Sequence, residues 1–84
     1  MKFTDTPVAV EARFDVDGTI TPLALAWRGQ MLRISNVGRS WVAADGQLRY
    51  WLVMIAARGT FELRLDMMTL RWRITRAWES PTLA

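Results

Sequence analysis

Phe61-Glu62-Leu63-Arg64-Leu65-Asp66-Met67-Met68-Thr69-Leu70-Arg71-Trp72-Arg73-Ile74-Thr75 carries an apolar residue at every second position on either side of Asp66-Met67-Met68-Thr69. That period is two, the repeat of a strand with one buried face, where a helix would repeat at about 3.6. The same alternation runs through Val8, Val10, Ala12 and Phe14, and again through Leu23, Leu25 and Trp27. Turn signals separate the runs at Asp17-Gly18, Arg28-Gly29, Asp45-Gly46 and Arg58-Gly59. Short strands punctuated in this way predict an all-β domain.

Registers follow from the turns, because a slip of one residue exchanges the two faces of a strand. A two-residue turn at Asp17-Gly18 pairs Ala12 with Leu23 and Val10 with Leu25, and suits the turn type that needs φ > 0 at both central positions. Arg28-Gly29 pairs Leu25 with Leu32 and Leu23 with Ile34. Asp45-Gly46 pairs Trp41 with Tyr50 and Ala43 with Leu48. Arg58-Gly59 pairs Ala56 with Phe61, Met54 with Leu63 and Leu52 with Leu65. The connection Asp66–Thr69 pairs Leu65 with Leu70, Leu63 with Trp72 and Phe61 with Ile74. Each choice sets apolar against apolar. Asn36-Val37-Gly38 breaks the alternation, and a glycine inside a strand pattern marks a bulge or bend. The expectation is a six-stranded antiparallel meander curling into a small SH3-like or open barrel, bent near Asn36–Gly38. Its ordered core spans about residues 7–78 of a single domain, 1–84, with 79–84 as a tail.

The chain has 84 residues, half of them apolar, with eleven basic and eight acidic side chains for a net charge of +3. Ten of the eleven basic residues are arginine. A domain this small leaves little area for an enclosed active site. Without cysteine or histidine it has no disulfide, no thiolate or imidazole metal ligand, and no nucleophile paired with histidine. No metal or cofactor is expected. The longest apolar run, Tyr50–Ala57, is eight residues, against the ~20 of a membrane helix. The opening Met1-Lys2-Phe3-Thr4-Asp5-Thr6-Pro7 lacks the apolar stretch of a signal peptide, so a cytoplasmic protein is expected.

Phe14-Asp15-Val16-Asp17-Gly18-Thr19-Ile20 spells the Asp-x-Asp-Gly-Thr signature of haloacid-dehalogenase-type phosphatases. In that family the two aspartates, here Asp15 and Asp17, attack phosphorus and move the proton. The resemblance ends with those seven residues. A strand pattern follows where the family has a helix, and no lysine lies downstream of Lys2 to neutralise a phosphoryl group. A hairpin tip with solvated carboxylates is the better reading, and no catalytic residue is assigned.

Two surfaces remain. Glu62 lies opposite Arg73 in the expected register, and Arg64 opposite Arg71, a like-charge pair that long side chains relieve by splaying into solvent or by holding an anion. The strand 48–57 is apolar on both faces. In this register its Trp51, Val53 and Ile55 fall among surface residues, so they are either covered by a neighbouring segment or form an interface, most simply a homodimer. Of five tryptophans, Trp27 and Trp72 belong to the core, Trp41 stacks with Tyr50, and Trp51 and Trp78 have no assigned face. Exposed aromatics between arginines would make a stacking platform for single-stranded nucleic acid.

The segments Pro22–Gly29, Val37 and Trp41, Tyr50-Trp51, Gly59–Asp66 and Trp72–Trp78 together resemble a small uncharacterised bacterial all-β domain family. Its marks are a Trp-Arg-Gly turn, a Gly-x-x-Tyr/Phe-Glu-Leu strand and a Trp-rich closing strand. Members are encoded beside Y-family DNA polymerase cassettes of the damage response, so the resemblance implies a link to DNA repair and no catalytic residue. Gln30-Met31-Leu32 stands where the family shows an arginine and an aromatic. The function expected is a non-catalytic module that binds single-stranded nucleic acid or a DNA-repair protein through Arg64, Arg71, Arg73 and Trp51. The alternative is a protein–protein module or homodimer through Trp51, Val53 and Ile55.

Overall fold

A computed structural model describes residues 2–80. It is all-β, with eight strands: β1 (Lys2–Pro7), β2 (Val10–Phe14), β3 (Ile20–Trp27), β4 (Gln30–Arg33), β5 (Asn36–Ala43), β6 (Leu48–Ile55), β7 (Gly59–Asp66) and β8 (Arg71–Glu79). A single 3-10 turn, Ala44–Gly46, joins β5 to β6. The strands form two antiparallel sheets, one of five in the order β1-β8-β7-β6-β5 and one of three in the order β2-β3-β4. This is more than the six strands expected, and the sheets pack face to face without closing into a barrel. No helix among the described residues is long and apolar enough to cross a membrane.

Two corners explain the difference. At the first, Val8 N–H donates to Trp72 C=O at 3.1 Å in the large sheet, and the next residue, Ala9, accepts from Ala26 N–H at 2.9 Å in the small one. The second comes at Ile34 and Ser35, whose N–H groups donate to Leu23 and Met54 respectively. The expected third strand is therefore cut into β4 and β5. Beyond the cut, β5 carries a bulge between Val37 and Ser40, so the irregularity at Asn36–Gly38 is real. The unforeseen β1 takes the free edge of β8.

Two of the expected registers appear as read, and a third in part. Leu25 faces Leu32, with Arg28 and Gly29 both at positive φ. Trp41 faces Tyr50 and Ala43 faces Leu48, and Val10 faces Leu25. A bulge then sets Ala12 against Pro22 instead of Leu23, turning Pro22 into the core and leaving Leu23 exposed. Proline tolerates this place because a bulge needs no ladder donor there.

The β6–β7 hairpin is the main correction. Leu52 faces Glu62 rather than Leu65, and Val53 faces Phe61. The loop is three residues, Ala56-Ala57-Arg58, between the paired Ile55 and Gly59: Arg58 N–H closes it onto Ile55 C=O at 3.0 Å, and Ala57 takes φ 64°. Gly59 already belongs to β7. A three-residue slip is odd, so it exchanges the faces of β6. Trp51, Val53 and Ile55 are core, at 7%, 0% and 5% exposure, and are not an interface stripe. In β7–β8 the slip is even: Leu63 faces Ile74 and Leu65 faces Trp72, so the faces stand as expected.

The core lies between the sheets. Leu25 and Ile20 come from β3, and Val53, Phe61, Leu63, Leu65 and Ile74 from the large sheet. Each such side chain contributes about 1.5–3 kcal/mol of burial. Trp27 meets Phe61 edge-on at 5.4 Å, and Trp51 lies 5.3 Å from Trp72. Glu79, expected in the tail, ends β8 and accepts from Trp27 Nε1 and Arg28 Nη2 at 3.2 and 3.0 Å. The remainder of that tail, 81–84, lies outside the described residues.

Candidate nucleic-acid interface

The small sheet covers one face of the large sheet; side chains on the opposite face stand in rows across its strands. One row reads Trp41, Tyr50, Arg64, Arg73, each the cross-strand partner of the next. The adjoining row reads Leu52, Glu62, Arg76 and Phe3, and a third holds Met54, Thr60 and Trp78. Neighbours in a row are separated by the strand spacing of about 4.8 Å. The bulge at Thr75 makes the second row possible, since it slips β8 by one residue and brings Arg76 opposite Glu62.

Aromatic and cationic groups alternate on this face. Trp41 and Tyr50 stack with centroids 5.2 Å apart and planes within 3°. The Arg39 guanidinium lies 5.6 Å from the Trp41 ring centre, and that of Arg76 lies 4.9 Å from Phe3. Phe3 is 68% exposed. A guanidinium over a ring occupies one face of it and holds the ring in place while the cation stays hydrated.

Of the four site residues expected from the sequence, two come together. Arg64 and Arg73 are directly opposed, and β1 supplies their shared counterion. Arg73 Nη1 donates to Asp5 Oδ1 at 3.2 Å and to the Asp5 carbonyl at 2.9 Å, while Arg64 Nη2 stands 3.9 Å from Oδ1. Asp5 sits in a bulge of β1, at φ 54°. Arg71 stands apart, opposite Asp66 at the start of β8. Trp51 is on the covered face. Of the aromatics that line the open face, Trp41 and Tyr50 stack as expected, Trp78 is turned there by the β8 bulge, and Phe3 lies in the unexpected β1.

Glu62 is the buried charged residue of the described chain, at 6% exposure. Thr75 Oγ1 donates to its Oε1 at 2.7 Å, and Arg76 Nε stands 3.7 Å from the same oxygen. It floors a cleft of about 400 Å³ walled by Arg39, Trp41, Leu52, Arg76 and Trp78. A second cleft of about 340 Å³ opens where the sheets part, lined by Ile20, Ser40, Trp51 and Arg49. Arg49 points to the covered side of β6, and its buried Nε has no hydrogen-bond partner among the described residues.

The aspartates of the phosphatase-like signature have local partners. Asp15 pairs with Arg13 at 3.0 Å. Asp17 Oδ1 accepts from Thr19 N–H at 2.9 Å. That backbone bond, with help from the Thr19 hydroxyl, holds the Asp17 carboxyl below its ordinary value. Both belong to the β2–β3 hairpin tip. Comparison of the chain with models of protein families, with curated proteins and with solved structures gives no significant match.

Proposed function

We propose that the chain is a non-catalytic binding module whose open sheet face takes single-stranded nucleic acid, alone or within a nucleic-acid-processing complex. The observation that carries this reading is the row Trp41-Tyr50-Arg64-Arg73, with Arg39, Arg76, Phe3 and Trp78 on the same face. Unpaired bases stack on aromatic rings for about 1–3 kcal/mol each, with little regard to sequence. Arginines beside the rings meet the phosphates and release their counterions. Asp5 holds Arg64 and Arg73 in place, and a phosphate would displace it, since its side chain is 72% exposed. A place in the DNA damage response rests on the family resemblance alone.

The test is titration of a fluorescent thymidine oligonucleotide at several salt concentrations. Binding should weaken as a power of salt, and Arg73→Glu and Trp41→Ala should each lower affinity about tenfold. Arg33→Glu, on the small sheet, is the matched control. Absence of binding at low ionic strength, or equal loss in the control, would sink the reading.

A further inference from the structure

Resting on that reading, the geometry points to Glu62 as the group that selects the base: the cleft above it takes guanine by the N1–H and N2–H edge. A carboxylate on a sheet face is ordinarily solvated, since burying a charge is costly unless it is well matched. Here the side chain of Glu62 is 8% exposed. Its matching is partial. Oε1 is fixed by Thr75, but Arg76 stays 3.7 Å away, its guanidinium drawn over Phe3. Among the described residues the second oxygen takes no hydrogen bond. A fixed acceptor at the base of an aromatic cleft is a recognition element in search of donors.

The walls narrow the ligand further. A simple anion would be repelled by Glu62, and an organic cation by Arg39 and Arg76, which border the same cleft. A ligand carrying N–H donors at one end and negative charge at the other satisfies both, and a nucleotide is of that kind. Trp78 and Leu52 offer apolar surface for a base, and the Trp41 ring, stacked on Tyr50, lines the same cleft.

Among the bases guanine fits a carboxylate best. An ionised carboxylate only accepts hydrogen bonds. Guanine presents two adjacent donors, one for each oxygen. Adenine and cytosine each place a ring acceptor beside their amine, and thymine flanks its single N–H with two carbonyls. In every case but guanine an acceptor lone pair would face a carboxylate oxygen.

Anisotropy titrations with a short thymidine run, the same run with one central guanine, and the same run with hypoxanthine at that position test this. The guanine strand should bind about tenfold or more tightly than thymidine alone, with hypoxanthine, which lacks the amine, between them. Glu62→Gln should erase the preference while thymidine binding becomes no weaker, because the variant keeps the acceptor for Thr75 and removes a negative charge from the face. Thr75→Val, which frees the carboxylate to swing, should reduce it. A wild-type protein that binds the three strands equally would overturn the base selection while leaving the platform intact, as would a preference that survives Glu62→Gln. Failure to bind any of the strands would overturn the platform and the selection together.

Discussion

Ile34 and Ser35 are neighbours in the chain and hydrogen-bond into different sheets. Ile34 N–H donates to Leu23 C=O at 2.9 Å, and Ser35 N–H donates to Met54 C=O at 2.8 Å. The Ser35 hydroxyl donates to the same Met54 oxygen at 2.9 Å. Proline at 35 removes both donors, so Ser35→Pro should lower stability by about 2 kcal/mol in urea denaturation. Ser35→Ala removes only an exposed hydroxyl and should cost under about 1 kcal/mol.

Gly59 sits where a side chain has no room. At φ +130° a Cβ would lie 2.1 Å from the Trp78 carbonyl oxygen and 2.9 Å from Glu79 Cα. Gly59→Ala should therefore cost about 3 kcal/mol or more. Gly18 has a positive φ but nothing within 4 Å, so Gly18→Ala should cost only about 1–2 kcal/mol. Thermal unfolding of the two variants separates steric from conformational strain.

Val53 is fully buried against Phe61. Val53→Ala should lower stability by about 2–3 kcal/mol through the cavity it leaves, and leave the hydrodynamic size unchanged. A shift in oligomeric state with normal stability would contradict the observed register.

Asp17 makes the hairpin tip sensitive to acid. Its carboxyl is held below the ordinary value by the Thr19 backbone N–H, so the stabilisation is full above the unfolded value, about pH 4. It fades as pH falls through the lower, folded value. Asp17→Ala should therefore lower Tm at neutral pH, and the difference from the parent protein should shrink under strongly acid conditions. Tm measured against pH for both proteins checks the sign.

Arg49 carries a buried donor with no partner among the described residues. Methionine keeps most of its length without that donor, so Arg49→Met should raise stability by about 1 kcal/mol. A loss instead would mean that the guanidinium is satisfied at the mouth between the sheets.

Much of this architecture was legible, and where it was not the reason is specific. The turns centred on Arg28-Gly29 and Asp45-Gly46 yielded correct pairs, because the centre of a hairpin loop fixes the register by itself. The faces of β6 offer no contrast to check its turn against. Leu52 and Met54 on one side and Val53 and Ile55 on the other are equally apolar, so hydrophobic matching could not choose, and the turn decided. Reading a two-residue turn at Arg58-Gly59, where the loop is the three residues Ala56-Ala57-Arg58 between the paired Ile55 and Gly59, inverted the strand. The candidate site moved with it. Trp51 passed inside, and Tyr50 came to stand beside Arg64. Arg64 and Arg73 were within reach of sequence reasoning as a clustered pair, but Asp5 was not. Its segment, Lys2–Pro7, shows no clean alternation and ends in proline, although that residue is tolerated at an edge.

The order β1-β8-β7-β6-β5 has a consequence for synthesis. A ribosome delivers Lys2–Pro7 before the other described strands, yet its partner in the sheet is β8, which emerges after them. Until Arg71–Glu79 has left the exit tunnel, Phe3 and Asp5 have no place to dock. The face on which Arg76 covers Phe3 and Asp5 bridges Arg64 to Arg73 is thus completed only after translation has passed β8. A nascent chain halted before that point would lack any competence the finished face confers.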